Sequence, residues 1–475
     1  MLNYIKFCNF ANFQKKGSKY RTLTMDRDQL DLNDKNIGRT FRKILLPTVL
    51  GSVSISAVTL IDGIFIGHGV GALGIAAVNI VTPIYQIMAG LGLMMGVGCS
   101  VAISILLGQG KTRTARIHIT QALTATSLVV ALLSLGVMAM PEKVSLLLGS
   151  SPTLLPLVKD YLIWIMPSFV FQMCSMIGLF VIRLDGAPQY AMWCNILPAA
   201  LNVVLDWLFI FPLGMGVKGA SIATGLSIIT GGLMALYYLL RRTRTLHPER
   251  IKFSSKSIRL SLRNLSYHAR IGSSTLLGEL TLAVLFFIGN LVFMQYLGDQ
   301  GVGAFGVACY YAPFFFMIGN AIAQSAQPII SFNYGKAHWS NVRKTRGLLI
   351  RTSLVSGIFI CLLFLLLPGP LVSLFIPSDS QAGIIAIEGL PYFAIGFIFF
   401  ILNVALIGYL QSIERIREAT VYVLLRGFIL LIPSFYGLPQ LMGTIGIWLA
   451  MPVAECLTTV VILLRLFGTF FAKRK

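Results

Sequence analysis

Residues 104–116 read SILLGQGKTRTAR and residues 331–343 read SFNYGKAHWSNVR. In each, an apolar stretch ends in glycine and passes into basic residues. Ser104, Gly108 and Arg116 match Ser331, Gly335 and Arg343 at one offset of 227 residues, and Gly219 and Gly446 repeat that offset. The chain therefore contains one structural unit twice, and both copies leave an apolar environment at the same point.

That environment is a lipid bilayer. The 475 residues are 56% hydrophobic and only 12% charged, with a mean hydropathy of +0.80. A soluble domain would carry about 25% charged residues. A membrane helix needs ~20 apolar residues. Twelve stretches qualify: 44–66, 76–107, 118–140, 154–181, 190–212, 217–240, 268–297, 303–333, 347–368, 384–410, 419–438 and 444–468. The expected fold is an all-α polytopic membrane protein with twelve transmembrane helices in two six-helix lobes. Six is even, so both lobes enter from one side and are related by a pseudo-two-fold axis along the membrane normal. The expected organisation is an N-terminal cytoplasmic segment (1–40), a first lobe (41–240), a basic linker (241–267), a second lobe (268–468) and a short tail (469–475). Two parallel lobes around a cleft suit a transporter that rocks between two openings.

Charge orients the bundle. The net charge is +21. With the N-terminus inside, 34 of the 38 Lys and Arg fall in cytoplasmic segments and their helix margins; the others are Lys143, Lys159, Lys218 and Arg426. The positive-inside rule then places both termini in the cytoplasm. This distribution also argues against nucleic acid as a partner, because the basic residues follow the loops and not one face. The seven cysteines form no C-x-x-C pair and read as small core residues. Residues 1–24 lack a continuous apolar region and a cleavage site, so no signal peptide is expected, and Met25 is a plausible alternative start.

Carboxylates at membrane depth are costly and mark function. Four acids lie well inside spans: Asp62, Asp206, Glu279 and Glu455. Helix rise places Asp62 about 6 Å and Asp206 about 9 Å from the outer ends of their spans. Asn202 shares a helix face with Asp206 one turn away, and Thr224 lies at the same level. Asp62, Asn202, Asp206 and Thr224 could line one pocket for a proton or a Na⁺ ion. In the second lobe, Glu279 and Glu455 lie near mid-membrane, and Arg426 could pair with one of them. Gln324 and Gln327 face either the cleft or a neighbouring helix. Pro47 lies in the first span, fifteen residues before Asp62, where it frees a backbone carbonyl and permits a bend. No P-loop, H-E-x-x-H or G-x-S-x-G occurs, so neither an ATP-driven pump nor an enzyme is expected, and no cofactor is implied.

Four stretches carry a family resemblance: IDGIFIGHGVGALGIAAVNIVTPI (61–84), GVGCSVAISILLGQGK (96–111), RLDGAPQYAMWCNILPAALNVVLDWLFIFPLGMGVKGASIAT (183–224) and GNAIAQSAQPIISFNYGKA (319–337). Together the chain resembles the multidrug and toxic compound extrusion (MATE) family over about 40–468, nearest the bacterial branch related to DinF and MepA. The resemblance implies a two-lobed antiporter in a bacterial inner membrane. It would expel cationic or amphiphilic drugs in exchange for H⁺ or Na⁺. It also implies that Asp62, Asn202, Asp206 and Thr224 form the coupling-ion site, that Pro47 is the bending proline, and that Glu279 is the family's seventh-span acid. One position departs: Leu179 stands where an Asn often precedes the arginine ending the fourth span, which removes one oxygen and favours H⁺ over Na⁺. A lipid-linked precursor flippase would want basic groups in the cleft, where only Arg426 is expected. A non-transporting scaffold fits poorly with doubled lobes and embedded acids. The protein is expected to act as a monomer.

Overall fold

A computed structural model describes residues 36–472 apart from 71, 149, 151, 252 and 253. The N-terminal segment up to residue 35, the alternative start at Met25 and residues 473–475 lie outside the described residues.

Eleven described helices are long and apolar enough to cross a membrane, and a bent pair makes a twelfth span. They are α1 (Ile37–Ile66), α2 (Ala77–Gly108), α3 (Thr112–Ala139), α4 (Leu155–Ile165 with Ser168–Leu184), α5 (Pro188–Ile210), α6 (Gly216–Arg242), α7 (Ser255–Gly298), α8 (Gln300–Gly335), α9 (Trp339–Leu366), α10 (Gln381–Ser412), α11 (Ile416–Met442) and α12 (Thr444–Arg465). The two parts of α4 meet at 50°. Pro167 stands in the break and has no N–H to continue the ladder. Helix α1 starts before the expected boundary at residue 41, because the Asn36 side chain accepts the Arg39 N–H at 3.2 Å. Helix α7 likewise starts inside the expected linker, where the Ser254 hydroxyl caps the Ser257 N–H at 3.2 Å. Residues 255–267 of the expected linker thus belong to α7.

The outer surface is apolar. Leu128, Leu132 and Leu135 of α3 are each 61% exposed. Their i, i+4, i+7 spacing makes one continuous stripe. Phe359, Leu362 and Leu366 do the same on α9. Water would penalise such stripes, whereas acyl chains accommodate them.

Inside, the repeat is visible as geometry. Helix α2 lies along α7 and α8, and α8 lies along α10. At the basic end, α2 and α8 cross with backbones in contact. A Cβ on Gly108 would stand 2.2 Å from the Phe332 carbonyl oxygen, and one on Gly335 would stand 2.4 Å from the Ile105 oxygen. These contacts are reciprocal, since Ile105 and Phe332 are also 227 apart. Only glycine permits the approach. Beside this crossing, Ser100 donates to Gln327 at 2.6 Å across the same 227-residue offset. Gln327 donates in turn to Ser104 and Ser331, both at 3.3 Å. The two lobes thus share a polar, symmetric seam at their basic ends.

Candidate functional site

The first lobe gathers its polar side chains from five helices. Helix α1 brings Asp62, α2 brings Tyr85, α4 brings Tyr161 and Gln172, α5 brings Asn202 and Asp206, and α6 brings Thr224. Asn202 and Asp206 are one turn apart and both buried, at 5% and 1% exposure. The Asn202 amide points to the Thr224 hydroxyl at 3.5 Å. The Asp62 and Asp206 carboxyls face each other within side-chain hydrogen-bonding reach, and Asn202 adjoins Asp206. Tyr161 adjoins Thr224 and feels both carboxyls, while Tyr85 adjoins Gln172 and feels Asp62. The four residues expected to share a pocket therefore do share one.

Several acceptors of this cluster are left unpaired. Asp62 Oδ1, both Asp206 oxygens and Gln172 Oε1 are buried and receive no well-formed hydrogen bond. Buried acceptors without donors cost about 1–3 kcal/mol each, and more when charged. Two facing carboxylates add mutual repulsion. One proton shared between them, or one small cation among these oxygens, removes both costs. No group of three or more His, Cys, Asp or Glu that could hold a structural metal ion occurs among the described residues.

Tyr85, Tyr161 and Gln172 were not singled out from sequence. Tyrosines in apolar spans are common packing residues, and nothing in the chain order sets these two apart. Gln172 was the more legible, as a buried amide in an apolar helix. It also answers the departure at Leu179. Leu179 is 6% exposed and packs with Ile182, Ala191 and Ala235. Gln172 lies two turns earlier on the same face of α4 and carries its oxygen to the site beside Tyr85.

The second lobe divides its candidates. Arg426 pairs with Glu455, with contacts of 2.9 Å from Nε and 2.8 Å from a terminal nitrogen to one carboxylate oxygen. The other Glu455 oxygen accepts the Asn403 amide at 2.7 Å, and Thr459 donates to the Asn403 oxygen at 2.8 Å. The guanidinium lies over the Phe400 ring at 4.4 Å. This ion pair is buried and both Glu455 oxygens accept hydrogen bonds, which makes it a structural clasp between α10, α11 and α12. It sits where α11 widens into a π-turn, Leu425–Ile429. Gln327 belongs to the lobe seam described above. Gln324 accepts from Arg183 of α4 at 2.8 Å. Glu279 is half-buried on α7, and the structure does not bring it to Arg426 or to Glu455.

Between the lobes lies a narrow cavity of about 40 Å³, lined by Phe180 of α4, by Phe316 and Gln324 of α8, and by Gln411 and Arg426 of the second lobe. A shallow crevice is lined by Val49, Ser52 and Ser56 of α1 and by Phe314 and Met317 of α8, and the Ser56 hydroxyl donates across it to the Met317 sulfur at 3.1 Å. It begins within one turn of Pro47, so the middle of α1 rests directly against the second lobe.

The MatE family model matches residues 47–208 and 275–436, one copy in each lobe. The chain belongs to the MatE family. Its curated relatives include the FAD transporter of Shewanella oneidensis, 26% identical over 441 residues that cover 91% of this chain and 94% of that one. They also include the multidrug export protein MepA of Staphylococcus saprophyticus, 25% identical over 86% of this chain and 89% of that one. Among solved structures, an outward-facing multidrug resistance MATE transporter aligns with a TM-score of 0.85 at 20% identity, covering 94% of this chain and 98% of that one. A Vibrio cholerae MATE transporter aligns with a TM-score of 0.84 at 20% identity over 92% and 98%. The twelve-helix, two-lobed arrangement of this MatE chain is thus the architecture of solved family members.

Proposed function

We propose that this MatE protein is a secondary antiporter that exports amphiphilic small molecules in exchange for a cation held by Asp62 and Asp206. The single observation behind this reading is the facing carboxyl pair with its unsatisfied acceptors, buried in one lobe away from the central cavity. The multidrug export and FAD transporter relatives support small-molecule transport. The basic loops support a bacterial cytoplasmic membrane with both termini inside. We take H⁺ as the coupling ion, because one shared proton satisfies two facing carboxyls directly. Na⁺ is the alternative, and Gln172 supplies an oxygen that would serve it.

Coupling needs two states with different affinity for the cation. Filling the pair removes its repulsion and lets α1 and α5 close together. Emptying it favours their separation. Pro47 gives that movement a hinge. The test is accumulation of a fluorescent amphiphile in inverted proteoliposomes, under a pH gradient and then under a Na⁺ gradient. D62N should lose gradient-driven accumulation while still equilibrating substrate. Undiminished pH- or Na⁺-driven accumulation by D62N would refute the assignment.

A further inference from the structure

Arg183 ends α4 and is buried at 4% exposure, yet no carboxylate pairs with it among the described residues. Its terminal nitrogen donates to Gln324 at 2.8 Å, its plane lies 5.4 Å from the Phe180 centroid, and its Nε has no partner. The nearest acid in sequence, Asp185, is fully engaged elsewhere. It accepts from the backbone of Arg244, Thr245 and Leu246 and from the Tyr238 hydroxyl, at 3.1–3.2 Å. The carboxyl end of α4 offers only about half an elementary charge. A buried guanidinium without a paired carboxylate is expensive.

Both contacts of Arg183, Phe180 and Gln324, line the central cavity. Because the Gln324 oxygen is occupied by Arg183, its amide presents N–H donors to that cavity. Arg183 itself stands behind Phe180 and Gln324, and the charged group in the lining, Arg426, is already neutralised by Glu455. No carboxylate lines the cavity; Gly278 does, but the adjoining Glu279 does not. The electrostatic surplus of the cleft is therefore positive and comes from Arg183. The flanking rings, Phe180 and Phe316, suit a flat apolar body.

We infer that the central cavity takes aromatic organic anions, with the acidic group held by the Gln324 amide and Arg183 and the ring system between Phe180 and Phe316. This rests on the cavity being the substrate cleft of the transporter proposed above, and it replaces the cationic substrate expected from family resemblance with an anionic one. Charge complementarity of this kind sets selectivity more than raw affinity.

The test is equilibrium binding of three pyrene probes to the full-length protein in nanodiscs, without any ion gradient. Loss of cation coupling therefore cannot mimic its failure. Wild type should bind pyrene-1-sulfonate about tenfold tighter than pyrenylmethylammonium. R183Q should cut that ratio about tenfold and leave neutral pyrenemethanol within about twofold, whereas R183K should keep most of the ratio. Q324L should lower the ratio in the same direction, which keeps the idea testable if R183Q does not fold. Water-soluble dihexanoyl phosphatidate should displace the sulfonate poorly; strong displacement would mean a lipid headgroup site instead and overturn the aromatic assignment. Wild-type preference for the ammonium probe, or an unchanged ratio in folded R183Q, would overturn the proposal.

Discussion

Asp62 and Glu455 are both acids at membrane depth, and the structure gives them opposite roles. Glu455 has its charge matched by Arg426 and its second oxygen matched by Asn403. Removing one partner of such a pair leaves a buried charge alone, at a cost of about 3–5 kcal/mol. E455Q should therefore lower the detergent melting temperature sharply, which a thermal-shift assay reads, while D62N should raise it or leave it unchanged, since Asp62 has nothing to lose. Asp185 gives a third case, outside the spans. Burial pushes its carboxyl up, and its four donors only partly hold it back. With the folded value above the unfolded one, its contribution is greatest when protonated and falls as pH rises through the raised pKa. The stability difference between wild type and D185N should thus shrink from acidic to neutral pH. The sequence could rank these acids by depth but not by partner. Depth needs only helix rise, whereas the pairing of Arg426 depends on which faces of α10, α11 and α12 meet.

Among the elements, the proposed mechanism assigns movement to α1 and a fixed point to the glycine crossing. Helix α1 is continuous through Pro47, so the proline's missing hydrogen bond is absorbed without a break in this state. P47A restores that bond and stiffens the helix. It should slow gradient-driven transport at least several-fold while leaving pyrene-probe binding unchanged, because binding needs no bend. The Gly108–Gly335 crossing is the opposite kind of element. G335V would place side-chain atoms inside a carbonyl contact and force the lobes apart at the basic end. Cysteine crosslinking between S104C and S331C should then fail in G335V and succeed in the glycine parent, after replacement of the native cysteines. Both elements were legible in outline. Pro47 is marked by its position in an apolar span, and Gly108 and Gly335 by their repeat. The contact between those glycines was not, because a sequence repeat gives equivalence and not adjacency.

At the scale of the molecule, one duplicated bundle holds two different sites. The first lobe keeps the carboxyl pair, and the second contributes most of the cavity wall. Nothing in the second lobe mirrors Asp62 and Asp206; its buried acid is neutralised by Arg426 instead. The duplication was readable from the offset of 227 residues, and the spans from apolar runs. The asymmetry of the sites was only partly readable, because Tyr85, Tyr161, Gln172 and Arg183 gain their meaning from tertiary neighbours. On the proposed reading, separate sites for ion and substrate require that the lobes communicate through a rigid-body change, with α1 as the proposed bending member. The central claim is that the Asp62–Asp206 pair carries the coupling ion, and counting protons tests it most directly. In proteoliposomes loaded with a pH dye, addition of substrate should release protons from wild type. D62N and D206N should bind the same substrate and release none. Equal proton release by either variant and by wild type would contradict the account.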